Sequence, residues 1–298
     1  MAANPNPSTG AHREKLWAAA LFMLLSSLAS GGMAAFGKEA GRFVTAYQIV
    51  FIQNLFGALC LFPMILMRWG WSGFKTQMVA AHLLRDLAGT ACFVLFFLAV
   101  ADISLINAVL LLNTAPLLMP FVVWVWIRRR PEARIWWGVV VGFIGVVLIL
   151  NPGASAFQPG MILGFLSGLL SAIAYVTVRF LNRTEEPLLI NFYYFLVGSL
   201  LLLPVAIWQW RATGWWGWSM LIGNAVCVVL SLITVTWAFR LGRIYVLSAL
   251  IYLAIIWSGI LGWIFWGTIP TFLSAIGAIL VILGGLLSIF LGKRPEKG

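Results

Sequence analysis

A shift of 139 residues lays this chain over itself: Pro131 meets Pro270, Trp124 meets Trp263, Gly138 meets Gly277 and Gly145 meets Gly284. In an earlier stretch a shift of 141 sets LFGALCLFP (Leu55–Pro63) over LVGSLLLLP (Leu196–Pro204), with Gly57 on Gly198 and Pro63 on Pro204. Each copy holds five apolar segments. An odd number obliges two copies threaded through one bilayer to cross it in opposite senses. Inverted repeats around a midplane site are a recurrent design of secondary transporters, so transport leads from the outset.

Composition sets the solvent. Of 298 residues 62% are hydrophobic and 9% charged, and the mean hydropathy is +1.02. A soluble domain of this size needs a charged exterior, whereas lipid solvates an apolar one. The hydropathy predicts an all-α polytopic membrane protein of ten spans, at about 16–36, 46–67, 81–101, 104–127, 135–151, 160–181, 188–208, 217–239, 244–266 and 270–291. The first five-helix repeat is then 16–151 and the second, inverted one 160–291. A short head (1–15) and tail (292–298) flank them.

The net charge of +11 is topological. With the N-terminus placed in the cytoplasm, all Lys and Arg except Lys38, Arg42 and Arg211 fall on the cytoplasmic side. That bias puts both termini inside. It also removes the case for nucleic acid. Cys60, Cys92 and Cys227 all lie within spans, so no disulfide framework is implied. The first span is long enough to cross and has no small-residue cleavage site, so a bacterial inner membrane is the expected location.

All eight acids are read as lying in the head, the tail, the connections or the last turns of spans, and no cation as lying at a bilayer centre. A carrier of lipophilic cations normally needs an embedded carboxylate, and a carrier of phosphorylated solutes needs buried cations. The expectation is an uncharged cavity for a neutral or zwitterionic solute.

Dipolar and aromatic groups at helical spacing are the candidate lining. They are Ser27 and Ser30 in the first span, Thr90 and Phe93 in the third, and Asn107 and Asn113 in the fourth. Ser171 and Tyr175 stand in the sixth, Thr234 and Trp237 in the eighth, and Ser248 and Tyr252 in the ninth. At an offset of 139, Asn113 and Tyr252 are symmetry mates. Against this stands a plainer role, in which hydroxyls bond their own i−4 carbonyls or tie helices together. Asn107, Asn113 and Tyr252 are favoured because unpaired amides and hydroxyls are costly in apolar surroundings. Arg85 and Asp86 open the third span, either as a local pair reaching back to the cytoplasmic surface or as gate charges that part and re-form. Pro116, with Pro120, bends the fourth span, beside a cavity or for packing alone. The Gly138/Gly142 and Gly160/Gly164/Gly168 runs read as close helix packing or as sliding surfaces.

An enzyme lacks its parts. The chain's two histidines, His12 and His82, fall on the side opposite Ser219, and no phosphate-binding or metal-ligand motif occurs. No cofactor and no metal are expected.

The stretches Asn113–Leu150 and Tyr252–Leu287, each with a Pro, Trp and Gly-Gly pattern at the same spacing, resemble the drug/metabolite transporter superfamily and its EamA-type ten-helix members. The resemblance implies a basket of helices with a cavity lined by spans 1, 3, 4, 6, 8 and 9, and with spans 5 and 10 as outer supports. Members typically carry Glu-Pro in the fourth and ninth helices. This chain has Ala115-Pro116 and Ala254-Ile255, which argues against simple proton antiport. Within the family it looks like bacterial exporters of aromatic and other amino acids. A monomeric exporter of large neutral or aromatic amino acids is the leading expectation. A broad-specificity exporter of drugs and lipophilic cations follows, and a non-transporting scaffold or channel is third.

Overall fold

The computed structural model describes residues 7–128, 135–150, 158–241, 250, 252–269 and 271–291. In that part of the chain α-helices follow one another: α1 (Pro7–Ala40), α2 (Ala46–Trp69), α3 (Val79–Asp102), α4 (Leu105–Leu112), α5 (Ala115–Ile127), α6 (Ile135–Leu150), α7 (Pro159–Leu181), α8 (Pro187–Trp208), α9 (Trp215–Leu241), α10 (Leu253–Trp266) and α11 (Phe272–Leu291). Among the described residues no strand occurs. Seven segments are long and apolar enough to cross a membrane, and three shorter apolar helices accompany them. The chain is therefore a multi-pass membrane protein. Leu59, Leu200, Ile207 and Ile264 lie exposed on its flanks, where lipid replaces water.

Helix starts follow local chemistry. Thr45 Oγ1 accepts the Gln48 N–H at the head of α2, and Ser104 Oγ accepts the Asn107 N–H at the head of α4. Proline occupies the first turn of α5, α7 and α8, where its missing N–H leaves no bond unmade. Gly267 ends α10 at φ 62° and returns its N–H to the last turn, a conformation a side chain would oppose.

The fourth span expected over 104–127 is present as the apolar stretch Leu105–Trp126, built of two helices rather than one. The chain turns at Asn113 and Thr114, and Pro116 stands in the first turn of α5. Pro116 has no N–H to return to the preceding turn and its ring crowds the carbonyl four residues back, so α4 ends at Leu112 and α5 starts afresh. At the symmetry-related place Tyr252 caps the start of α10.

Packing repeats as the sequence does. α1 lies along α9 as α3 lies along α7, α1 meets α10 as α7 meets α4 and α5, and α2 pairs with α8. α6 pairs with α11 at the edge, touching α4 and α5. A Cβ on Gly145 would lie 2.6 Å from the Gly277 carbonyl oxygen, and one on Gly277 2.7 Å from that of Gly145. Gly138 faces Gly284, and Ile149 faces Gly277, so α6 and α11 run antiparallel with backbones in contact. Glycine is required at this crossing. The small-residue run at Gly138 and Gly142 is a packing seam.

Between α1 and α9 the seam is polar. Ser26 Oγ donates to the Ser231 carbonyl at 3.0 Å, Ser231 Oγ donates to the Ser26 carbonyl at 3.1 Å, and Asn224 Nδ2 donates to the Met33 carbonyl at 3.0 Å. Its counterpart between α3 and α7 is the Gly160 N–H, which donates to Asp102 Oδ2 at 2.6 Å. That carboxylate sits on the positive end of α7.

Candidate functional site

A cavity lies between the halves, beside the Ser26–Ser231 seam and the break at Asn113. Its empty volume is about 680 Å³, counting the space at its mouth. Ser30 and Met33 come from α1, Arg85, Gly89, Cys92 and Phe93 from α3, Leu112 from α4, Ser171 and Tyr175 from α7, Tyr194 from α8, and Val228, Ser231, Leu232 and Val235 from α9. A second space of about 420 Å³ shares Ser30, Leu112, Ser171, Tyr175 and Ser231 with it, and adds Ser27, Asn113, Pro116 and Ala254. Space of this size, with apolar walls and a few convergent polar groups, is what small-molecule sites have in common.

Arg85 overturns the expectation of an uncharged cavity and of a side chain reaching back to the cytoplasmic surface. It stands two turns into α3, is 3% exposed and lines the cavity. Its guanidinium lies over the Tyr194 ring, 3.9 Å from the centroid. Gly89, one turn on, leaves room for this: a Cβ there would be 2.9 Å from Tyr194 Cε2 and 3.3 Å from Arg85 Nη1. Asp86, fully buried, approaches Arg85 Nη1 only to 3.9 Å, too far for a hydrogen bond. Neighbours in sequence point about 100° apart on a helix, so the two cannot meet in a fork. Arg85 Nε and Nη1 and both Asp86 oxygens have no hydrogen-bond partner among the described residues. A stacked cation in a dry site gains about 2 kcal/mol, while burying an ion costs several. The ring alone does not offset the burial.

Outside the cavity lining, α2 and α3 carry further polar groups unpartnered among the described residues: Gln53, Asn54, His82 and Thr90. All are buried, and His82 lies 4.8 Å from the Tyr193 ring. Asp86 is likewise buried and outside the lining, so the reading of every acid as peripheral is also corrected.

The structure brings together Ser30, Phe93, Ser171 and Tyr175 in the main cavity, and Ser27, Asn113 and Pro116 in the adjoining space. Ser27 Oγ meanwhile donates to the Leu24 carbonyl, and Asn113 Nδ2 donates to the Val109 carbonyl at 2.8 Å, closing the end of α4. Other candidates point elsewhere. Thr90 is buried beside Asn54 and Gly198. Asn107 sits in the first turn of α4, outside the lining. Thr234 Oγ1 donates to the Leu230 carbonyl at 2.6 Å, the local bond that hydroxyls make in helices. Trp237 lies beneath Arg240, 5.7 Å from its guanidinium, near the end of α9. Tyr252 turns its ring onto Gly285 of α11, and its hydroxyl is unpartnered among the described residues. Ser248 lies outside the described residues.

Gly89, Cys92 and Tyr194 were not among the candidates. The signal existed: Arg85, Gly89, Cys92 and Phe93 stand at i, i+4, i+7 and i+8 and so share one face of α3. Thr90, five residues on from Arg85, lies off that face.

A polytopic helical protein with a polar-studded cavity between two related halves is a membrane transporter by architecture. Sequence comparison gives the particular family. The sequence model of the EamA-like transporter family matches twice, over residues 17–151 and 158–290, so the chain belongs to that family. A pseudopaline exporter of Pseudomonas aeruginosa is 26% identical over 283 residues, covering 93% of this chain and 96% of that protein. An S-adenosylmethionine uptake transporter of Rickettsia prowazekii is 26% identical over 290 residues, covering 92% of each. A riboflavin transporter of Vibrio cholerae is 23% identical over 270 residues, covering 90% and 89%. A solved crystal structure shares the fold, with a TM-score of 0.65 at 19% identity over 94% of this chain and 99% of that one.

Proposed function

We propose that this protein exports amino acids, large neutral or aromatic ones first, by alternating access of the two halves around the central cavity. The observation that carries the reading is the cavity's lining. Ser30, Ser171 and Tyr175 offer hydroxyls to a polar head, while Met33, Phe93, Val228 and Leu232 offer an apolar wall to a side chain. The broken fourth span supplies helix ends at the same level, as discontinuous helices do in other transporters. The relative named as a pseudopaline exporter supports outward flux.

Export of lipophilic cations is the weaker reading, because a cation entering this cavity meets the buried charge of Arg85. We place the protein in a bacterial inner membrane as a monomer, with both termini cytoplasmic and the halves oppositely oriented. Counterflow tests the function. Proteoliposomes preloaded with tryptophan, phenylalanine or leucine should accumulate the labelled amino acid at least tenfold over empty-protein liposomes. Absence of exchange for every amino acid, together with saturable exchange of a lipophilic cation, reverses the order of the two readings.

A further inference from the structure

We infer that Arg85 is the anchor for a carboxylate on the transported solute, so the cavity selects molecules that carry a free carboxylate and rejects their amides. The inference rests on the transport reading above and narrows it to a substrate class.

Donor accounting carries the argument. A guanidinium presents N–H groups along its edge and a flat face. The face is taken by the Tyr194 ring at 3.9 Å. The edge is not taken: Nε and Nη1 are buried without an acceptor among the described residues, Nη2, which forms a fork with either of them, makes no hydrogen bond there, and Asp86 stays at 3.9 Å. The ring holds the guanidinium in place, and the residue is 3% exposed in the cavity wall. A planar, oriented pair of N–H donors in a water-poor site matches a carboxylate in two-point geometry. Asp86 supplies the counter-charge that lets an empty site keep a buried cation, without occupying the donors a solute needs.

Scale favours carboxylate over phosphate. Arg85 is the one cation among the described residues lining the two spaces. With Asp86 already offsetting Arg85, a zwitterion leaves the site neutral overall, whereas a phosphate dianion adds two uncompensated negative charges. The hydroxyls of Ser30, Ser171 and Tyr175 then remain for the other polar group of a zwitterion.

The test is thermal stabilisation of the purified protein in detergent by matched pairs: tryptophan with tryptophanamide, and N-acetyltryptophan with N-acetyltryptophanamide. Inorganic phosphate is a further arm. The acid of at least one pair should stabilise at tenfold lower concentration than its amide, and phosphate should neither stabilise nor compete. In Arg85→Gln the preference should vanish. In Arg85→Lys, which keeps the charge and loses the fork, it should fall several-fold. Equal stabilisation by acid and amide overturns the anchor, as does a preference that survives in Arg85→Gln or stabilisation by none of the acids. Should Arg85→Gln fail to fold, the wild-type pairs and Arg85→Lys decide alone. Acid-selective stabilisation without tryptophan counterflow keeps the anchor and discards amino-acid transport. Counterflow without acid selectivity does the reverse.

Discussion

Tyr175 and Tyr252 carry the same phenol in opposite surroundings. Tyr175 lines both spaces of the cavity, whereas Tyr252 is buried against Gly285 on the outer pair of helices. A hydrogen bond to a charged group is worth about 1.5–3 kcal/mol, or roughly ten- to a hundredfold in affinity. Tyr175→Phe should therefore raise the half-saturating substrate concentration in counterflow about tenfold or more. Tyr252→Phe removes a hydroxyl with no partner among the described residues and should leave transport within twofold of wild type. Equal losses in both variants would mean that the cavity face of α7 does not touch the solute. Residue types were readable from the sequence, and their rotation about the helix axis was not. In a membrane both the lipid and the protein interior are apolar, so the pattern of apolar residues does not mark which face looks inward.

At the scale of elements, the α6–α11 crossing tolerates no side chain. A Cβ on Gly145 meets the Gly277 carbonyl at 2.6 Å, while one on Gly214, in the connection before α9, meets nothing within 4 Å. Overpacking a close contact costs about 1–3 kcal/mol. Gly145→Ala should lower the unfolding midpoint of the detergent-solubilised protein by several degrees, and Gly214→Ala should leave it unchanged. A midpoint unmoved by Gly145→Ala would show that the two helices separate freely. The glycine repeat was visible in the chain as Gly138 over Gly277 and Gly145 over Gly284. That these glycines face one another across the symmetry is a property of packing. The break at Asn113 and Thr114 was partly legible from Pro116, since proline announces a bend without saying whether the helix kinks or stops.

For the whole molecule the testable quantity is topology. The charge bias puts the α8–α9 connection outside and the α7–α8 connection inside. In a background without the native cysteines, Ala212→Cys should react with an impermeant maleimide added to intact cells. Thr184→Cys should react only after permeabilisation. The opposite pattern would turn the protein over and place both termini outside. Sequence by itself determined the helical membrane class, the repetition of one half in the other and the polar residues available to a cavity. These are encoded in hydropathy, segment length and repetition, all readable along one dimension. Only the tertiary structure decided that Arg85 turns inward onto Tyr194, that Asp86 is buried as well, and that Tyr252 leaves the cavity. A long cationic side chain near the end of a span can reach for water or turn into the protein. The choice depends on what other helices place around it, here the ring of α8 and the space above Gly89.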